Sequence, residues 1–275
     1  VPGLGGSVLT ATWDFSFDFE YIQCQEKSTT YQQIWPTVYS AIPIENECWY
    51  RLMKTSIDAD GQIVSNTNVR PRQGLDGIAV LDAVQIGFLD IPLYKYFQPM
   101  IDNLRAKGYN QLYGYPYDFR TITNTVAILN FVNGMKALVQ EAYNKSGGQK
   151  VNLITHSLGC IVSSYFLNKM TSSWKNKYIN LFIPIAGPWL GSTGALESIL
   201  TGLNEGIPVT DRFIRGLEKN MGGVIWMVNN SKWGDVEVIP GGIENALIQS
   251  GNNKAAKLIK GRLNDLWNVV FNDPE

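Results

Sequence analysis

Histidine is almost absent from this chain, with one residue, His156, among 275. Cysteine is scarce too, at three. One histidine and three cysteines cannot build an ordinary Cys/His zinc site within one chain, so neither a metal nor another cofactor is expected. Charge is thin: Asp, Glu, Lys and Arg make up 17% and leave a formal net charge of −1. Without a Lys/Arg-rich face there is no electrostatic footprint for nucleic acid. No apolar run reaches about 18 residues, so no transmembrane segment is expected. Low-complexity tracts and internal repeats are missing as well. What remains is a globular composition, 45% hydrophobic, with enough chain for one large core or two small ones. The scarcity of histidine bears on mechanism: any reaction that needs a histidine base has a single candidate.

The chain begins Val1-Pro2-Gly3-Leu4-Gly5-Gly6. A glycine-rich turn of this kind normally follows a buried strand, so the start reads as processed, or the chain as an excerpt of a longer one. Residues 1 to about 60 alternate aromatic and polar residues between turn signals at Pro36, Pro43 and Asp60-Gly61, and Ser28 to Tyr39 suggests a short amphipathic helix. From Tyr96 the pattern becomes regular. Phe97, Met100, Ile101 and Leu104 predict a helix stopped by Gly108, followed by a short strand at Asn110–Tyr115. Thr123 to Tyr143 then reads as a long helix ended by Gly147-Gly148, Val151 to Thr155 as a strand, Leu158 to Met170 as a helix, and Ile179 to Ile185 as a buried strand. Strands and helices alternating with short joints predict an α/β fold with a mostly parallel sheet. Residues 188–275 are looser, with a helix expected near Ala255–Phe271, and suggest a cap or lid over a core of residues 1–187.

One stretch carries chemistry. Val151-Asn152-Leu153-Ile154-Thr155-His156-Ser157-Leu158-Gly159 is a buried strand, a small-x-Ser-x-Gly turn and the start of a helix: the nucleophile elbow of an α/β-hydrolase. The turn is so tight that large side chains two residues before and after the serine would collide, although Thr155 stands where Gly or Ala is commoner. Ser157 is the candidate nucleophile, and the Leu158 backbone amide a candidate oxyanion donor at the positive end of the helix. A second donor is expected from a glycine-rich loop, and Val1–Ser7 fits, with the Leu4 amide as the candidate. A serine with two amide donors describes acyl transfer.

These segments together resemble the lecithin:cholesterol acyltransferase family, with its lysosomal phospholipase A and its plant and fungal phospholipase and acyltransferase members. Val1–Ser7 resembles the family's oxyanion loop and Tyr117-Asp118-Phe119-Arg120 its YDWR/YDFR signature. His156-Ser157-Leu158-Gly159 matches its elbow, Pro188-Trp189-Leu190-Gly191-Ser192 is close to its PWGGS, and Trp174–Ile179 sits where the family has a W-K-[DN]-[KR]-[YF]-I segment. The resemblance implies an α/β-hydrolase fold with a cap. It also implies a Cys24–Cys48 disulfide bounding a lipid-contact insertion at about residues 24–48, with Trp35 inside it. A bridge closing such a loop contributes on the order of 3 kcal/mol in the chain-entropy model. Trp189 is assigned to the acyl pocket, Cys160 is read as buried and unpaired, and Asp118 and Arg120 as a structural polar anchor. Asn144-Lys145-Ser146 and Asn229-Asn230-Ser231 are glycosylation sequons, which fit a secretory route to a lysosomal or vacuolar lumen or to secretion. The implied partners are a phospholipid, lipoprotein or membrane surface and an acyl acceptor, either water or a lipid alcohol.

The acyl-transfer set is incomplete. A serine hydrolase needs a base for the Oγ proton and an acid to orient that base. His156 immediately precedes Ser157, and adjacent side chains at a strand end point to opposite faces, so it is not the base. The family's Asp and His lie beyond Glu275, and Asp211, Asp235, Asp265 and Asp273 sit in no recognisable strand-end motif. Three alternatives follow: part of an active lipid acyl hydrolase or acyltransferase, a pseudoenzyme that binds lipid or a protein partner, or, against the several matching signatures, an unrelated α/β protein with a chance Ser-Leu-Gly turn.

Overall fold

The computed structural model describes residues 1–15, 24–37, 46–80, 82–86, 89–204 and 209–228. The first elements are strands β1 (Leu9–Asp14) and β2 (Lys27–Trp35), then helix α1 (Asn46–Met53) and strands β3 (Thr55–Ile57), β4 (Ile63–Ser65) and β5 (Asn68–Pro71). They are followed by β6 (Asp82–Ile86), β7 (Leu89–Tyr94), α2 (Gln98–Ala106) and α3 (Thr125–Lys145). The remaining described elements are β8 (Val151–His156), α4 (Leu158–Lys169), α5 (Ser172–Tyr178), β9 (Ile179–Ile185), α6 (Thr193–Leu200), α7 (Asp211–Glu218) and α8 (Gly222–Trp226). The fold is mixed α/β, and no described helix is long and apolar enough to cross a membrane.

Residues 28–35 form strand rather than the helix their spacing suggested. β1 lies between β2 and β5 in a three-stranded antiparallel sheet. Thr29, Thr30 and Tyr31 suit an extended backbone, and pairing to β1 satisfies the β2 amides along one side. The Cys24–Cys48 disulfide is formed, with Cα atoms 5.5 Å apart, and ties the start of β2 to α1. A second departure lies at 110–115, which belongs to no strand ladder. Gly114 there packs directly on the Gly74 carbonyl, and Pro116 has no amide to offer a neighbouring strand.

β8, α4 and β9 follow the sequence closely, and α5 is an added short helix between the last two. Asn124 caps α3 by accepting the Val126 and Ala127 amides on its side chain, and α3 packs beside α4 in the main core with Phe131, Val132 and Met135. β8 and β9 pair in parallel, with His156 opposite Ile185. On the other side of β8, the Val1 amine donates to the Ile154 carbonyl at 2.9 Å and the His156 amide to the Val1 carbonyl at 3.1 Å, the pattern of a parallel bridge. β9 itself is not the buried strand its composition predicted: Leu181, Ile183 and Ile185 are 52%, 37% and 42% exposed.

Candidate active site

Ser157 joins β8 to α4 with φ 51° and ψ −126°. An L-residue on that side of the backbone map stores strain, of order 1–3 kcal/mol, and persists only where its surroundings hold it. Two observations show what does the holding. The Ser157 amide donates to the Ile185 carbonyl at 2.9 Å. Gly3 lies directly on the serine: a Cβ at Gly3 would sit 2.7 Å from Ser157 Cβ and 3.2 Å from both Ser157 Oγ and His156 Nδ1. Only glycine permits that approach.

Glycine at position 159 has a different cause from the one the motif suggested. A Cβ there would meet the Pro2 carbonyl oxygen at 2.4 Å and that of Val1 at 2.8 Å. The crowding comes from the N-terminal loop, some 157 residues away in sequence, rather than from Thr155. Thr155 is fully buried and donates its hydroxyl to Cys160 Sγ at 3.2 Å, and Cys160 is free and buried.

Aromatic side chains hold the polar backbone of residues 2–6. The Tyr117 hydroxyl donates to the Pro2 carbonyl at 3.1 Å, the Gly3 amide to the Tyr96 hydroxyl at 3.0 Å, and the Trp35 indole to the Gly5 carbonyl at 2.7 Å. The Gly6 amide closes the loop on the Gly3 carbonyl at 3.1 Å. Among the described residues the Leu4 amide has no acceptor. Leu158 is the first residue of α4, where an amide has no intrahelical partner. Both leucine side chains meet at α8, since a Cβ at Gly223 would lie 2.7 Å from Leu158 Cδ2 and 2.9 Å from Leu4 Cδ1. α8 is bound in place by the Gly222 and Gly223 amides donating to the Arg120 and Phe119 carbonyls at 2.6 and 2.9 Å.

His156 Nδ1 is hydrogen-bonded to the Tyr96 hydroxyl at 2.5 Å, with the Tyr96 and Phe97 rings edge-on to the imidazole. Burial, then the nearby Val1 ammonium, holds its pKa below the ordinary 6.5. Burial also brings the Val1 amine down to about 5 and pushes the Tyr117 hydroxyl well above its usual range. Ser157 Oγ makes no hydrogen bond to any described residue. Tyr96, Tyr117 and the Trp35 indole bond were not visible as site features in the sequence. Tyr117 sits in the YDFR signature, whereas Tyr96 has no local signal at all.

Other sequence-marked residues fall around this centre. Arg120 is fully buried, and its guanidinium donates to both Asp118 oxygens at 3.0 and 2.8 Å and to the Met53 carbonyl at 3.1 Å. That network anchors residues 118–120 to the end of α1. Trp35 is half-buried, stacked 6.2 Å from Trp49 and edge-on to Phe119. Trp189 is 50% exposed beyond β9 and touches Phe182 edge-on. Asn144 is exposed in the last turn of α3. Asn229, Asp235, Asp265, Asp273 and the helix expected near 255–271 lie outside the described residues.

Known proteins resemble this chain in sequence. The chain is 28% identical to human lysosomal phospholipase A and acyltransferase (Homo sapiens) over 251 residues, 86% of this chain and 58% of that protein. It is 29% identical to chicken phosphatidylcholine-sterol acyltransferase (Gallus gallus) over 218 residues, 76% of this chain and 50% of the relative. The mouse counterpart (Mus musculus) is 30% identical over 213 residues, 76% of this chain and 47% of that protein. The chain thus spans about half the length of these relatives. Residues 30–266, which hold the elbow, the YDFR anchor and α8, match the sequence model described as lecithin:cholesterol acyltransferase. An elbow serine overlain by a glycine loop, a buried YDFR anchor and a match across most of its length place this chain in the lecithin:cholesterol acyltransferase family.

Proposed function

We propose that this chain carries the nucleophile half of a lipid acyl hydrolase or O-acyltransferase site. Ser157 Oγ attacks the ester carbonyl of a glycerophospholipid acyl chain, the Leu4 and Leu158 amides receive the oxyanion, and the glycerol oxygen leaves as a lysophospholipid alcohol. The acyl-serine then passes its acyl group to water or a lipid alcohol. The observation that carries this reading is Ser157 at positive φ with Gly3 packed on its Cβ and Oγ, beside two amides that have no acceptor among the described residues. The relatives' names, phospholipase A and acyltransferase, point to the same chemistry.

The wider layout is part of the same proposal. Residues 1–187 serve as the α/β-hydrolase core and 188–275 as the cap, supported by the α8 hydrogen bonds to Phe119 and Arg120. Trp35 and Trp189 contact lipid, and Asn144 and Asn229 accept glycans in the secretory pathway or a lysosomal lumen. His156, with Nδ1 bonded to Tyr96, is assigned no base role. A serine without its base retains a rate lower by about 10⁴- to 10⁶-fold. The test is slow fluorophosphonate labelling of residues 1–275 that disappears in Ser157→Ala. No labelling sinks the reading, and rapid Ser157-dependent ester turnover removes its incomplete-triad part.

A second reading, lipid binding without turnover, draws on the Ser157 Oγ that no described residue engages. Vesicle binding equal in the original chain and in Ser157→Ala, with no labelling of either, distinguishes it.

A further inference from the structure

We propose that Tyr96 is a positioning residue for acyl transfer at Ser157: its hydroxyl bridges the Gly3 amide and His156 Nδ1, so that the Leu4 amide rather than the Gly3 amide is presented to the oxyanion. This inference rests on the acyl-transfer reading above and adds a residue to its machinery.

The Gly3 amide can only donate, so the Tyr96 oxygen accepts there at 3.0 Å. The same hydroxyl is hydrogen-bonded to His156 Nδ1. Tyr96 thus ties the residue before the nucleophile to the loop that covers it.

Peptide geometry carries the effect one residue further. The Gly3 carbonyl and the Leu4 amide belong to one planar trans peptide and point in opposite directions. The Gly6 amide holds that carbonyl at 3.1 Å, and Tyr96 fixes the peptide before it. With both ends of Gly3 bonded, the Leu4 N–H has a set direction and no acceptor among the described residues. Oxyanion donors stabilise a transition state in proportion to how well they are preorganised, and removing one lowers the rate by about 10²- to 10³-fold. Loss of the Tyr96 hydroxyl keeps the Leu4 amide and removes only its orientation, so a smaller fall is expected.

The experiment compares residues 1–275 with Tyr96→Phe, which keeps the ring. Labelling of Ser157 by a long-chain alkyl fluorophosphonate is followed against probe concentration. Nitrogen NMR on ¹⁵N-histidine protein reads the single imidazole. The expected result is a fall of roughly ten- to hundredfold in maximal labelling rate, with the half-saturating probe concentration unchanged. In parallel, the His156 Nδ1 resonance shifts as its Tyr96 partner is lost. His156→Asn leaves an acceptor near the Nδ1 position and retains most of the labelling rate. An unchanged maximal rate in Tyr96→Phe, or a change confined to half-saturation, overturns the proposal while the acyl-transfer reading stands. Absence of labelling in the unsubstituted chain removes that reading and this proposal with it, whatever the ring signal does.

Discussion

β8 and β9 run side by side in parallel, and each ends in a non-glycine residue at positive φ: Ser157 at 51° and Ala186 at 50°. The two strands are thus alike in φ at the exit, yet only the first exit is overlain by the Gly3 loop. Ser157 leads into the 12-residue α4 and lies under the Gly3 loop, with its neighbours' polar groups tied to Tyr96, Tyr117 and Trp35. Ala186 leads into Gly187-Pro188 and a turn closed by the Trp189 amide on the Gly187 carbonyl. Strain at a strand end is therefore not what marks the candidate nucleophile. The second segment laid across it, with an amide that no described residue accepts, does.

The sharpest way to break this comparison is to crowd each exit. A Cβ at Gly159 meets backbone, the Pro2 carbonyl at 2.4 Å, whereas a Cβ at Gly187 meets the Trp189 ring at 2.8 Å and Cys160 Cβ at 2.9 Å. The half-exposed Trp189 can move, and the loop backbone cannot move without displacing Gly3. Gly159→Ala is expected to lose about 3 kcal/mol and Gly187→Ala about 1 kcal/mol in urea unfolding, within the overpacking range. Only the first is expected to slow Ser157 labelling. Equal losses, or faster labelling in Gly159→Ala, count against the loop as the distinguishing part.

A smaller effect comes from His156, which sits at the β8 exit alone. Its folded pKa lies below 6.5, so the unfolded chain binds this proton at higher pH than the folded chain does. The neutral ring's contribution is complete above about pH 6.5 and is lost as pH falls from there toward the folded value. The drop in urea midpoint between about pH 7.5 and about pH 5 should shrink in His156→Asn. An identical pH dependence in the two proteins rules out this site as a contributor. The smallest change is expected from Ala186→Gly. Glycine relieves the positive φ but adds unfolded-state entropy, so stability moves by less than about 1 kcal/mol and labelling is unaffected. A loss of labelling there places the β9 exit in the site after all.

Local patterns identified the elements with local causes. The long apolar-periodic α3 with its asparagine cap and double glycine stop, the β8–α4 elbow and β9 all lie within a few residues of where their sequences placed them. Residues 28–35 misled because a short amphipathic spacing is compatible with helix or strand, and the outcome turned on β1 as a partner. At 110–115 a strand-like sequence remained without a ladder for the converse reason. The apolar composition of β9 predicted burial, but burial depends on what lies alongside a strand, and three of its side chains stay exposed among the described residues.

The sequence alone determined the nucleophile candidate, the glycine loop, the YDFR segment and the fact that a single histidine directly precedes the serine. Those follow from residue type and spacing within a turn or two of chain. The tertiary structure decided which surfaces meet: Gly3 on Ser157, Pro2 against Gly159, Trp35 on Gly5 and Tyr96 between Gly3 and His156. Each of those contacts joins residues dozens to more than a hundred positions apart. Close packing and the hydrogen-bonding needs of buried backbone set them, and neither is written in any local stretch.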